Sequence, residues 1–583
     1  MRRPRGGAQH LERHEMRFMR GFAAALVLCS LAWLGAGCGV KKDASAYGDA
    51  YRRLASGAME LSTNIEPLRG SRLGIAASDS LLFTYSENEI RGALKRLKRI
   101  EAQLSKIPAG SLGERDVDRA TVIIDWARGA RFAFENLQSH RSSPLLYCWT
   151  AEEALWGIPS RITSAPSGEI EAYRRRILRI PTLFSNGQTN LRNPADWHVR
   201  HAIERLDTLA AGLPGLAALV RERYGESLDG EIETVRLAIL GFRRFASETL
   251  LPVSHGRIIL GSENLSRIFD YGELINADPN MLIAEAEKQM NRLAGEKGSI
   301  LRRLELEQRG VLPRTPAAAF GRDEPFESRI ERIRGELREA AGEDSTLGTA
   351  PGVRAPLAYP ARLAYLSQSD RASYFSIPSA GDVAATVVTF PFSAPSCRTY
   401  LALSAGAARM SDDALRFALI RAAPRMSEPD RLRCEARDSI AAVFSSATFE
   451  EGWRYLALQE LIRDVKKNDS ELYLLVLDDW MRKYARMTVV LTLHAGTKTS
   501  DGATQYLVES LGIPREEAAR EVLAASTSPA IAYPAISMIL VEDMLKNVSF
   551  IFGYGKPQQE LAKLLREWRD LPLSMIAPKT QSD

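Results

Sequence analysis

The chain has 583 residues, 77 Lys and Arg against 72 Asp and Glu, and a formal charge of +5 at pH 7. Six of those arginines, Arg2, Arg3, Arg5, Arg13, Arg17 and Arg20, fall with two glutamates in residues 1–37, so 71 basic and 70 acidic residues remain beyond them, and this near-neutral remainder excludes general affinity for nucleic acid. Besides Cys29 and Cys38 only Cys148, Cys397 and Cys434 are present, which excludes a disulfide scaffold; they share no metal-ligand spacing and read as small buried residues.

In chain order, the first segment reads as a targeting signal. The arginines form a basic n-region, with Met16 as an alternative start, residues 22–34 an apolar core, and Leu34-Gly35-Ala36-Gly37-Cys38 a small-residue cleavage site. The core is short and wrongly flanked for a transmembrane helix, an uncleaved membrane anchor being the alternative reading. The site resembles a bacterial lipobox, although Gly35 stands where leucine is commoner. That resemblance implies that Cys38 is lipidated and becomes the first mature residue. Gly39, where Asp would retain an enterobacterial lipoprotein in the inner membrane, implies delivery to the outer membrane with the protein facing the periplasm. The expected partner of this end is the membrane, through its lipid anchor.

The remaining length exceeds one simple core, so two packed lobes are expected. Residues 38–80 read as a lipidated tether and 81–341 as an N-terminal helical half. Ser86-Glu87-Asn88-Glu89 fits a capping box, after which Ile90, Leu94, Leu97, Ile100, Leu104 and Ile107 recur at helical spacing until Pro108 and Gly110. Further helices are expected over 122–137 (with Ile123, Trp126, Ala130 and Phe134 on one side), 202–213, 232–251, and 284–304, the last with Asp278 as cap and Pro279 as first helical residue. Residues 342–360, rich in Gly, Pro and Thr, read as a linker. The stretch 382–390, β-branched between Gly381 and Pro391, is the best strand, and 361–575 forms the C-terminal half before a tail at 576–583. Helical period returns over 440–443, 453–461, 472–493, 503–511 and 559–565. The expected class is mainly α with one small β-sheet.

The stretch 415–461 resembles the active-site segment of the bacterial family named domain of unknown function 885, zinc-metallopeptidase-like proteins with a His-Glu-Ala-x-Pro-Gly-His-His helix and a Phe-x-Glu-Gly-Trp helix. The second motif is present as Phe449-Glu450-Glu451-Gly452-Trp453. Aligned on Pro424, the first has Ile420 and Arg421 at the His-Glu positions, and Arg425, Met426 and Ser427 at Gly-His-His. Other segments keep the frame: Arg179-Ile180-Pro181 with Asn190-Leu191, Gly261-Ser262-Glu263-Asn264-Leu265, Arg486 to Ala495, Tyr506-Leu507, Tyr533-Pro534-Ala535-Ile536-Ser537-Met538, and Leu571-Pro572-Leu573. Val490 replaces an aspartate, Met538 a tyrosine and Val541 a glycine. The resemblance implies a multi-helix zinc-peptidase-like (gluzincin-like) fold, with zinc as cofactor of the active relatives.

Zinc needs nitrogen, sulfur or carboxylate donors and an open position for water; isoleucine has no lone pair and arginine adds fixed positive charge. The expectation is a pseudoenzyme without catalytic residues, metal or cofactor, acting by binding a peptide or envelope protein. Arg421, Arg425, Glu451, Trp453 and His494 are its candidate ligand-binding residues, and acidic peptide ends its expected ligand. Two alternatives are an active peptidase or amidase with a rebuilt metal site, drawing on His140, His198, His201, His255 and His494, and a structural subunit of an envelope assembly. Read as residues, Glu451 is a helix-start carboxylate, His494 a satisfied core histidine, and His198-Val199-Arg200-His201 with Glu204 a solvated helix face rather than a metal site. Trp126, Tyr147, Trp149 and Trp156 read as core and interlobe packing.

Overall fold

The computed structural model describes residues 40–159, 167–309, 443–468, 470–552, 557–569 and 571–580, the strand segments 385–390 and 398–403, and the single positions 328, 332 and 440. The described chain is mainly helical. Its first helix, α1 (Val40–Ile65), presents Tyr51, Ala55, Ala58 and Leu61 at three- and four-residue spacing, all buried against α2 (Glu87–Leu104) and α3 (Glu114–Phe132). Residues 51–80 are therefore not the tether that the sequence reading assigned to 38–80. Small residues at Ala55 and Ala58 let α1 approach its neighbours closely, and this short spacing of alanines carries little weight in a reading tuned to large apolar residues.

The capping box forms as expected. The Ser86 hydroxyl accepts the Glu89 N–H at 3.2 Å, and Glu89 Oε2 accepts the Ser86 and Thr84 N–H groups, each at 3.1 Å. Helix α3 begins eight residues before the expected start and ends in a wide π turn, Ala133–Leu137. Its buried residues include Ile123, Ala127 and also Asp125, a carboxylate that lies off the Ile123, Trp126, Ala130 and Phe134 face that apolar periodicity assigns to the core.

Helices α4 (Pro144–Trp156), α5 (Glu169–Ile177), α6 (Ile180–Asn190), α7 (Asp196–Tyr224) and α8 (Asp229–Arg244) share a cluster that includes Tyr147, Tyr173, Phe184, Leu206 and Phe242. Helix α7 was expected to stop at Leu213, before Pro214. It runs through, because Leu209, Leu213, Leu216 and Val220 continue the buried stripe across the proline, and that burial outweighs one lost backbone bond. Helix α8 also ends in a π turn, Phe245–Leu250.

Helices α9 (Ser262–Glu273) and α10 (Pro279–Gln308) precede the expected linker, yet they belong to the second large cluster. They pack with α11 (Ala447–Asn468), α12 (Ser470–Ala495), α13 (Ser500–Leu511), α14 (Arg515–Thr527), α15 (Tyr533–Phe552) and α16 (Pro557–Glu567). The division between the two large cores thus falls between α8 and α9; the linker at 342–360 lies outside the described residues. Asp278 caps α10 as expected, its Oδ1 accepting the Asn280 N–H at 2.9 Å. At the centre is α12, in which every side chain from Tyr484 to His494 is buried, as for a helix surrounded by others.

The expected strand over 382–390 appears as β1 (Ala385–Phe390), paired antiparallel with β2 (Arg398–Leu403) from Ala385 opposite Leu403 to Phe390 opposite Arg398. Among the described residues this two-stranded ladder is the only pairing of strands.

Candidate functional site

The Phe449–Trp453 segment lies in the first turns of α11, and its local geometry is set from α9. Helix α9 ends at Leu274, whose φ of 54° is in the left-handed region, and the chain folds back so that Leu274 and Ile275 N–H bond the carbonyls of Asp270 and Phe269 at 2.8 and 3.1 Å. This turn places Glu273 against the start of α11. Its carboxylate accepts the Ala447 N–H and the Thr448 hydroxyl, each at 2.6 Å, and the Ser446 hydroxyl. Ser446 Oγ in turn accepts the Phe449 N–H at 3.0 Å. A carboxylate and a serine together satisfy donors that a helix start leaves open.

Within the segment, packing accounts for three of the five residues. Phe449 and Trp453 are buried and stacked, 6.5 Å between ring centroids, and the Arg566 guanidinium sits 5.5 Å from the Trp453 ring centre. A Cβ on Gly452 would overlap Leu573 Cδ1 and come within 3.1 Å of Val541 Cγ2, so glycine is what lets α11 lie against α15 and the Leu571-Pro572-Leu573 segment. Glu450 and Glu451 both pair with Arg454 of their own helix. The Trp453 Nε1 N–H is buried with no hydrogen-bond partner among the described residues.

On α12, Arg486 forms a two-pronged ion pair with Glu521 of α14, at 2.7 and 2.6 Å, and Arg482 joins Glu517 at 2.6 Å. Val490 and Met538 are sealed in the core. His494 is 1% exposed, with Nδ1 3.1 Å from the Ile258 carbonyl and Nε2 3.0 Å from the Ala525 carbonyl. Burial lowers its pKa and the two carbonyl bonds oppose that shift. Its own carbonyl accepts the Gly261 N–H at 2.9 Å, and Gly261 has a φ of +84°, which explains the glycine that opens the Gly261–Leu265 segment.

His198 and His201 do not share a solvated face. His198 is buried with Nε2 3.0 Å from Ser526 Oγ, whereas His201 bonds Glu204 at 3.0 Å. Burial, and then the neighbouring His201 and His494, push His198 down to about 4. Three apolar neighbours in the cluster, Val199, Ala202 and Leu206, show why: α7 turns its third residue inward along with its core stripe.

These residues do not fit a zinc ion. Among the described residues no group of three or more His, Cys, Asp or Glu is arranged to hold a metal; Glu451 is ion-paired, His494 faces two carbonyls, and Val490 and Met538 offer no hard donor. Ile420, Arg421, Arg425, Met426 and Ser427 lie outside the described residues, as do Cys38, Cys397 and Cys434. Cys148 is a buried free thiol whose pKa burial raises.

The carboxylates that sequence reading missed lie where α3 meets α9. Asp125 is raised to about 8, by burial first and then by Asp270 and Glu273, with Arg128 opposing. Glu273 is also raised, by burial, against the pull of its own hydrogen bonds. The helices come close there because a Cβ on Gly129 would stand only 2.9 Å from the Tyr271 carbonyl oxygen. Tyr533 adjoins the same group, and burial with the charges of Glu273 and Asp125 raises its phenol well above the usual value. The sequence signal was an aspartate between Ile124 and Trp126 on an otherwise amphipathic helix.

A family model described as "Bacterial protein of unknown function (DUF885)" matches residues 67–371, just over half of the chain, and ends before Phe449. No curated protein matches significantly. Among solved structures, a candidate lipoprotein of unknown function from Shewanella oneidensis is similar at 14% identity and a TM-score of 0.68, covering 91% of this chain and 100% of that one. A candidate lipoprotein from Colwellia psychrerythraea is similar at 13% identity and a TM-score of 0.66, covering 91% and 98%. At these identities the likeness is one of fold.

Proposed function

Because the chain belongs to the bacterial protein family of unknown function DUF885, we propose that it is a non-catalytic member with a metallopeptidase-like, gluzincin-like fold, in which a lost zinc site has become a peptide-binding cleft. The observation that carries this reading is His494. The one histidine left in the frame of the resemblance has both ring nitrogens against backbone carbonyls, at 3.1 and 3.0 Å, and donates through the one that carries the proton, so its role is to hold the Ile258 loop and the end of α14 in place. The binding half of the reading is supported by Trp453, whose buried indole N–H has no partner among the described residues, and by Arg421 and Arg425, which put positive charge at the motif's Glu and Gly positions, next in sequence to its histidine positions. Acidic peptide ends are the ligand class that this chemistry favours.

The cell-envelope setting belongs to the same proposal. Cys38 with its preceding small residues, Gly39, and the lipoprotein descriptions of the two structural relatives support an outer-membrane lipoprotein facing the periplasm. The test is calorimetric titration of the detergent-solubilised full chain with a short glutamate-rich peptide, beside a zinc-supplemented cleavage assay on the same peptide. The expected result is saturable binding, weakened at least about tenfold in Arg421→Ala/Arg425→Ala, and an intact peptide; tenfold corresponds to about 1.4 kcal/mol. Zinc-dependent cleavage, or no binding at millimolar peptide, overturns the proposal.

A further inference from the structure

The first three helices fix which end of the molecule the N-terminus reaches. Cys38 and Gly39 directly precede Val40, where α1 begins. Arg96 of α2 pairs with Glu60 of α1 at 2.9 Å, and the turn Ala109–Ser111, past the end of α2, also comes against α1. A turn so far beyond Arg96 meets α1 only if the two helices run antiparallel, because α1 ends at Ile65, soon after Glu60. Helix α3 starts directly after that turn, so its first turn lies toward the start of α1.

The C-terminal part of the chain adds its own surface to this end. Lys579 pairs with Glu114 at 3.2 Å and with Asp118 at 3.6 Å in the first turns of α3, and Arg115 donates to the Glu567 carbonyl at 2.6 Å at the close of α16. Thr580, beside Lys579, meets Asn547 of α15 at 3.4 Å. Nearly one turn past Asn547 stands Phe550, 90% exposed, with Ile551 beside it; among the described residues no large apolar side chain is more exposed. Lys106, in the loop between α2 and α3, is exposed at the same end. A bilayer is the apolar phase within reach of that ring. Helix α1 runs about 17 Å from Val40 to the buried Tyr51, so the body stands within about 20 Å of a membrane that holds a lipid on Cys38, close enough for a tilt of α1 to seat it.

We propose that this end of the molecule, made by the start of α1, the loop between α2 and α3, the start of α3 and the end of α15, rests on the bilayer that holds the Cys38 lipid. Phe550 and Ile551 enter the boundary between headgroups and acyl chains, and Lys106 meets lipid phosphates. A second contact is favoured because the lipid already keeps the surface at high local concentration. Helix α15 lies against α11 at Gly452, so the docking also sets the orientation of the Phe449–Trp453 segment toward the membrane. The proposal rests on the lipoprotein reading of Cys38 and is independent of peptide binding.

Brominated-lipid quenching tests it on the processed full chain, held by its own lipid in vesicles of phosphatidylethanolamine and phosphatidylglycerol. The emission that Phe550→Trp adds over wild type is expected to be blue-shifted, and to be lost when the acyl chains carry bromine. Leu178→Trp is the control: Leu178 is 46% exposed and precedes Arg179, which pairs with Glu89 at 2.8 Å at the start of α2, the opposite end of the molecule, so its emission is expected to stay unquenched. Mass spectrometry of the N-terminal peptide separates the two levels of the reading. An unacylated Cys38 overturns the lipoprotein reading and the docking with it, whereas an acylated chain in vesicles with Phe550→Trp unquenched, or quenched no more than Leu178→Trp, overturns the docking face alone. Blue-shifted emission that lipid does not quench gives the patch to a protein partner, a second copy of the chain included, and overturns it too.

Discussion

Single residues in this protein owe their chemistry to what buries them. His494 and His198 are both deep in the fold, but His494 has two carbonyl partners while His198 has one serine hydroxyl. An imidazole with one neutral partner pays the full desolvation of its charged form, which is why His198 falls to about 4. The sign of the consequence is fixed. Below the unfolded value of about 6.5 the unfolded chain takes up a proton that the fold refuses, so this contribution to stability is full at neutral pH and is lost as pH falls toward 4. Urea unfolding of wild type and His198→Gln should therefore converge in acid, the difference changing by something on the order of 3 kcal/mol between pH 7 and pH 4. A difference independent of pH would mean that His198 is charged in the fold. Asp125 lies beyond sequence reading for the same reason: its side chain is polar, and only the approach of α3 to α9 at Gly129 and Tyr271 turns it inward.

At the scale of elements, sequence periodicity located most helices and misjudged their ends. Ser86 and Asp278 marked true starts because a cap is a local event, made by residues three or fewer positions apart. Pro214 suggested an end that tertiary burial overrides, and the wide turns at Ala133–Leu137 and Phe245–Leu250 carry no local signature. The Phe449–Trp453 segment was legible as a motif, but its meaning was not, because the reason for Gly452 lies about 90 and 120 residues away, in Val541 and Leu573. That contact gives a direct prediction. Gly452→Ala should destabilise the protein by about 1–3 kcal/mol, the range for overpacking a close helix contact, although alanine is the better helix former. An unchanged or raised melting temperature would show that α11 and α15 can separate at no cost, and that the glycine is kept for some reason other than packing.

For the whole molecule, the mainly helical class follows from repeated three- and four-residue spacing along the chain, and the described structure has it. The placement of the two large cores was not legible, since α9 and α10 precede the Gly- and Pro-rich stretch yet pack with helices from 447 onward. Composition marks where a chain can bend, and burial decides which helices share a core. The candidate site divides in the same way. That Ile420, Arg421, Arg425, Met426 and Ser427 stand at the positions of the metal motif is an expectation of the resemblance and falls outside the described residues, while the engagement of Glu451 with Arg454 and of His494 with Ile258 and Ala525 needed three dimensions.

The central proposal is that a fold of this family persists here with the positions that the resemblance assigns to a metal site given over to packing, backbone anchoring and charge. Elemental analysis tests it most directly: the full chain is purified without chelators, loaded with zinc, dialysed extensively, and its zinc content measured per chain. The account predicts no retained zinc, and unchanged content in His494→Ala and Glu451→Gln. Close to one zinc per chain, lost in either variant, would contradict it and make the protein a metalloenzyme with a rebuilt site.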